Sequence, residues 1–94
     1  MAAQIEVRSS QRGTTYECLV TVREQGSTTH HRVTLRQADY ERLTDGKVSP
    51  EALVEESFRF LLEREPKESI LRSFELPLIG RYFPEYEREI KSRL

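Results

Sequence analysis

Three kinds of side chain in this 94-residue chain could do chemistry. They are one thiol at Cys18, two neighbouring imidazoles at His30 and His31, and a large set of carboxylates. A thiol needs a depressed pKa to act as a nucleophile, from a nearby cation or a helix amino end. Cys18 instead alternates with Tyr16, Val20 and Val22 on one apolar strand face, where a thiol behaves as a small inert hydrophobe. Adjacent residues on a strand point to opposite faces, so His30 and His31 cannot ligate one metal ion together. The glutamates fall at helix-surface spacings: Glu55 with Arg59, Arg59 with Glu63, Glu87 with Lys91, and Glu89 with Arg93 are all four apart. Such pairs are solvated, each worth about 0.2–0.5 kcal/mol. Neither a phosphate-binding glycine loop nor a nucleophile elbow nor paired-histidine spacing is present. The sequence therefore assigns no catalytic residue, no metal, no cofactor and no small-molecule ligand, and points to a non-enzymatic protein.

Two segments carry binding chemistry. The first is His30-His-Arg-Val-Thr-Leu-Arg36, a strand whose outward positions include Arg32, Thr34 and Arg36. It is followed by a short helix, Gly46 and a helix capped by Ser49. That order resembles ribbon-helix-helix DNA-binding proteins over residues 30–65. The resemblance implies a dimer in which Arg32, Thr34 and Arg36 read base edges in the major groove, while the amino end of the Ser49 helix holds a phosphate.

The second is Leu76-Pro-Leu-Ile-Gly-Arg-Tyr-Phe-Pro84, whose only charge is Arg81. Aromatic residues beside prolines suit a partner-binding surface, and the candidates are Leu78, Ile79, Tyr82, Phe83 and Tyr86. The simpler reading is that Leu78, Ile79, Tyr82 and Phe83 close the open flank of the main helix as core, and the two readings are not exclusive. Phe58-Arg-Phe-Leu-Leu-Glu-Arg-Glu-Pro66 and Arg81-Tyr-Phe-Pro-Glu-Tyr86 together are similar to small bacterial α+β proteins without assigned activity. That resemblance covers most of the chain, implies a small cytoplasmic domain, and supplies no functional residue.

The elements that must position these residues follow from period and punctuation. Gln4 to Ser9, Tyr16 to Arg23 and His30 to Arg36 alternate apolar with polar and predict three strands. The polar links holding Gly13 and Gly26 are short enough for successive hairpins, so the strands form an antiparallel meander. Ile5, Val7, Cys18, Val20, Val22, His31, Val33 and Leu35 fall on one face, and charge on the other, with Leu19 the exception. A sheet patterned in this way is covered on one side only. A short helix is predicted over Gln37 to Thr44, with Ala38 or Tyr40 and Leu43 facing inward, ended by Asp45-Gly46. The main helix runs from Pro50 to about Glu65, started by the Ser49 cap and by proline at its first position, and stopped by Pro66. Its apolar arc, from Leu53 to Leu62, spans half the circumference and needs the sheet on one flank and the C-terminal segment on the other. Pro66, Pro77 and Pro84 break that segment into short helical pieces. Ile70, Leu71 and Phe74 form one apolar face, and Tyr86, Ile90 and Leu94 another.

Composition sets the outer limits. Fifteen basic against sixteen acidic side chains give a net charge of −1, so no global field attracts nucleic acid or anionic lipid. An apolar fraction of 36% with 33% charged residues predicts one thin core under a densely charged surface. A single cysteine fits a reducing compartment. The start of the chain carries no hydrophobic signal region and no later run is long enough to span a membrane, which predicts a cytoplasmic protein. The expected fold is a single α+β domain over residues 1–94, a three-stranded antiparallel meander covered on one face by the main helix and proline-broken C-terminal helices. Its expected role is to bind a protein partner or a second copy of itself.

Overall fold

The computed structural model describes residues 3–94. Three long strands, β1 (Gln4–Arg12), β2 (Thr15–Glu24) and β3 (Ser27–Arg36), form the antiparallel meander that the alternation predicts. The register brings the apolar positions into rows: Ile5 faces Val22, Val7 faces Val20, and Cys18 faces Val33. The strands run farther than their apolar residues do. Polar Gln11, Arg12 and Thr28 still join the ladder, because backbone pairing continues past the end of the core. The loop left between β2 and β3 is Gln25-Gly26 alone, with φ of 53° and 78°. Two successive left-handed residues match the twist of the flanking strands, which is why glycine stands at the second.

Helix α1 (Gln37–Thr44) follows β3 directly and turns Tyr40, Leu43 and Thr44 toward the protein while Ala38 stays exposed. Asp45 ends it in the left-handed conformation. Helix α2 (Pro50–Leu62) begins as expected: the Ser49 hydroxyl accepts the Ala52 N–H at 3.1 Å, and Pro50 occupies the first turn. It stops at Leu62 and not at Glu65. Residues 63–65 tighten into turns onto the Arg59 and Leu61 carbonyls, since the residue before Pro66 is pushed away from helical geometry. Leu53, Val54, Ser57, Phe58, Phe60 and Leu61 are all buried, so both flanks of the helix are covered.

One flank lies on the sheet, with the Phe58 ring 5.2 Å from that of His31. Full burial of a side chain this large contributes about 1.5–3 kcal/mol. The other flank meets the C-terminal helix α4 (Tyr86–Arg93), whose Tyr86 and Ile90 are fully enclosed. Tyr86 packs edge-on against Phe60 at 5.3 Å, and its phenol oxygen lies 2.7 Å from the Ser57 hydroxyl. Ser57 sends its own proton to the Leu53 carbonyl at 2.8 Å, so the phenol is the donor of the pair.

The segment between these helices departs from the expected chain of helical pieces. After a single 3₁₀ turn at Lys67–Ser69 it extends into β4 (Ser73–Glu75), which adds to the far edge of β3 in parallel. Arg32, Val33 and Thr34 face Ser73, Phe74 and Glu75. The edge of β3 offers unpaired backbone groups, and the Arg32 N–H takes the Arg72 carbonyl at 2.7 Å. Ile70, Leu71 and Phe74 consequently do not share a helix face. Ile70 is buried, Phe74 turns under the sheet toward Phe58 at 6.1 Å, and Leu71 is left 47% exposed. A further 3₁₀ turn (Leu76–Leu78) and the single-turn helix α3 (Ile79–Tyr82) lead to α4. The sheet order is β1-β2-β3-β4, with the helices packed on one face and the other face open. No helix is long and apolar enough to cross a membrane among the described residues.

Candidate functional site

The low-charge segment and β4 together build one concavity. Leu78, Ile79, Tyr82 and Phe83 line a groove of about 240 Å³ along with Phe74, Leu71 and the end of α2 at Leu61. Ile79 forms its floor and is buried, Leu78 and Phe83 are half-buried, and Tyr82 stands on the rim with 66% of its surface exposed. Phe83 is anchored edge-on against Phe60 at 5.9 Å, which fixes one wall. The opposite wall is held by the β3–β4 ladder and by His31, whose Nδ1 lies 2.8 Å from the Leu71 carbonyl.

A carbonyl oxygen only accepts, so His31 carries its proton on Nδ1, and Nε2 accepts the Thr29 hydroxyl at 2.9 Å. Burial lowers the His31 pKa, the Leu71 bond opposes that shift, and Arg72 and His30 add to it. The imidazole is thus a neutral strut holding the Ile70 to Phe74 wall to the sheet. His30 lies on the opposite face, with its Nδ1 3.3 Å from the Thr21 hydroxyl, as neighbours on a strand must.

Glu65 also lines the groove. Desolvation alone raises its carboxyl above the ordinary value, and among the described residues the neighbouring cations Arg64 and Lys67 pair with other carboxylates. The groove therefore combines an apolar interior, a phenol at the rim and a carboxylate with no ion pair among the described residues. Sequence patterning alone did not bring in Leu71, Phe74 or Glu65. Leu71 and Phe74 gave a signal as apolar residues in a polar stretch, but only β4 pairing shows which way each one turns.

Tyr86 is the correction among the expected surface residues. It is fully enclosed between α2 and α4, and burial drives its phenol pKa well above the usual value. A residue two places beyond Pro84 starts α4, and its ring points back onto Phe60 instead of forward into the groove.

Arg32, Thr34 and Arg36 lie in a row on the open face of the sheet, as alternation requires. Arg32 and Arg36 are exposed, and Arg36 pairs with Glu75 at 3.6 Å. β3 itself is bonded on one side to β2 along its whole length and on the other to β4 at Arg32 to Thr34. Two such strands cannot meet there as an intermolecular ribbon, because the edge at those residues is occupied. The amino end of α2 is also satisfied from within. Glu51 in its first turn accepts the Ser9 hydroxyl, and that bond, ahead of the carboxylate's bond to its own N–H, holds its pKa low. Beside Arg32 the open face dips into a shallow depression whose lining includes Glu6, Arg8, Leu19, His30 and Arg72. Arg8, Arg32 and Arg72 have no carboxylate at ion-pair distance among the described residues.

Cys18 is fully buried in the sheet core, and burial, followed by the fields of Glu51 and Glu17, pushes its thiol up to about 11. It is a packing residue. Among the described residues no three His, Cys, Asp or Glu side chains converge as metal ligands. Compared with known proteins, the chain matches no family model, no curated protein and no solved structure.

Proposed function

We propose that the protein is a non-enzymatic cytoplasmic binding module that holds a protein partner in the groove between β4, α3 and the end of α2. The partner offers an apolar side chain to the interior and a lysine or arginine to Glu65. The observation that carries this reading is Tyr82, a large aromatic left two-thirds exposed at the rim of an apolar concavity in a chain with little apolar material to spare. An aromatic at such a position loses little entropy on contact and is a common anchor of interfaces. Glu65, which lines the groove with no ion pair among the described residues, supports the cationic half of the partner's chemistry.

The test is affinity capture of the tagged chain from extracts of its source cells, with Tyr82→Ala and Leu71→Ala run beside the parent. A species lost in both variants is then purified and titrated by calorimetry. Tyr82→Ala should weaken it by about tenfold or more while leaving folding stability within about 0.5 kcal/mol. Equal binding of the parent and both variants to every captured protein rules the groove out.

A second reading is favoured by the unpaired Arg8, Arg32 and Arg72: the open sheet face contacts a nucleic-acid backbone. Duplex binding should then fall steeply with added salt and drop in the Arg32→Ala and Arg72→Ala variants. A titration at low salt showing no binding removes it.

A further inference from the structure

The two edges of the sheet are treated differently. The β3 edge is shielded at its centre by β4, whereas β1 pairs with β2 alone among the described residues. Its nine residues keep one-to-one register from Gln4↔Arg23 to Arg12↔Thr15, so the outer edge has no bulge, and it contains no proline. Bulges, prolines and short length are what ordinarily stop an edge strand from pairing with another chain. Ile5 and Val7, on the helix-covered face of this strand, are only partly buried.

We propose that β1 is a homodimer interface, in which two copies join antiparallel, edge to edge, about a two-fold axis passing through Val7. A two-fold axis normal to the sheet sets each residue opposite one on the same face, which limits the register to a few choices. With the axis at Val7, Glu6 of each copy faces Arg8 of the other, twice over. On the helix-covered face Val7 meets its own copy and Ile5 meets Ser9. An axis at Glu6 would oppose two glutamates, and an axis at Arg8 would oppose two arginines. One at Ser9 would set Val7 against Gln11. The Val7 register alone among these four combines opposite charges on the open face with an apolar contact beneath.

The charges are available for this pairing. Arg8 has no ion pair within its chain among the described residues, and Glu6 has only an exposed 3.8 Å contact with Arg23. The product is one continuous sheet with four strands from each copy, in the order β4-β3-β2-β1-β1-β2-β3-β4. Each groove lies at the far end of its half, so the interface stands independently of the partner reading above, and a dimer would display two grooves facing apart.

Sedimentation equilibrium on the full chain tests the proposal with three variants and the parent. The parent should self-associate, and Arg8→Glu and Glu6→Arg should each weaken the dimer by about tenfold or more, since both two-fold-related pairs become repulsive. The double variant Glu6→Arg with Arg8→Glu should restore it. Val7→Cys, oxidised in air, should give a disulfide-linked dimer on a non-reducing gel, because residues facing each other across strands have Cα atoms within bonding range. A parent that stays monomeric up to about 1 mM overturns the interface. An Arg8→Glu variant that dimerises like the parent overturns it too, as does a double variant no better than the singles or a Val7→Cys dimer that does not cross-link. Circular dichroism of each variant confirms that the fold is retained before its association is interpreted.

Discussion

Replacing Ser57 with Ala should cost more than the size of the deleted hydroxyl suggests, because it strands its partner. The Tyr86 phenol is fully buried and donates to Ser57 Oγ at 2.7 Å, with no other acceptor assigned to it. Ser57→Ala leaves that donor in the core without water or protein to receive it, at a cost of about 1–3 kcal/mol. Tyr86→Phe is milder. Ser57 keeps its bond to the Leu53 carbonyl, so removing the phenol forfeits an ordinary net hydrogen bond of about 0.5–1.5 kcal/mol. Carrying both changes leaves no buried donor stranded, and the double variant should cost about 1 kcal/mol, less than Ser57→Ala alone. For a domain of this size each kcal/mol corresponds to roughly 4–8 °C in Tm, so thermal melts resolve the three variants readily. Urea unfolding at constant m-value supplies the free energies for a double-mutant cycle. Additive costs in that cycle would refute the reasoning, since they would mean that the phenol finds water or another acceptor and that α4 is not sealed onto α2.

Two further outcomes follow from the same packing. Arg64 lies 3.6 Å above the Phe60 ring and reaches Glu85 at 3.2 Å and Glu89 at 3.0 Å, so it clamps α4 onto the end of α2. Arg64→Ala should lower stability by about 1–2 kcal/mol, and Arg64→Lys should recover less than half of it, because an ammonium cannot stack and fork at once; full recovery in a thermal melt would reduce the site to simple charge. His31 makes stability depend on pH in a defined direction. Its folded pKa lies below the unfolded value of 6.5, so the unfolded chain takes up the proton first. Stability is therefore retained above about pH 6.5 and lost as pH falls from there through the folded pKa. Urea midpoints measured across that window should decline in the parent and stay flatter in His31→Gln, and identical slopes would disprove the assignment.

The parts legible in the sequence are those where one local rule fixed one element. Alternation from Gln4 and from Tyr16 set both the strands and the buried face, and Ser49-Pro50 set the start of α2 to the residue. Tertiary context decided the rest. Ser73-Phe74-Glu75 is too short to show any period, and it is a strand only because β3 presents an unpaired edge to it. The choice between Ala38 and Tyr40 went to Tyr40 because the Tyr16 ring waits 5.5 Å away across the hairpin. Tyr86 belonged to two patterns at once, the low-charge segment before it and the Tyr86, Ile90, Leu94 stripe after it. The stripe prevailed for Tyr86 and Ile90, because Phe60 and Ser57 complete its surroundings from 26 and 29 positions earlier in the chain. In the groove, Leu78, Ile79, Tyr82 and Phe83 were visible as a cluster, but the wall opposite them depends on which way the Ile70 to Phe74 segment turns, and no nearby residue encodes that.

That wall has a bearing on when the groove exists at all. The ladder joining β3 to β4 is three residues long and closes a loop of about forty residues, so entropy sets it among the later contacts to form and the earlier ones to open. A newly made or partly melted chain would keep its meander yet lack the groove. Occupancy of the groove would in turn hold the ladder shut, so whatever docks there would also act as a gauge of whether the chain has finished folding.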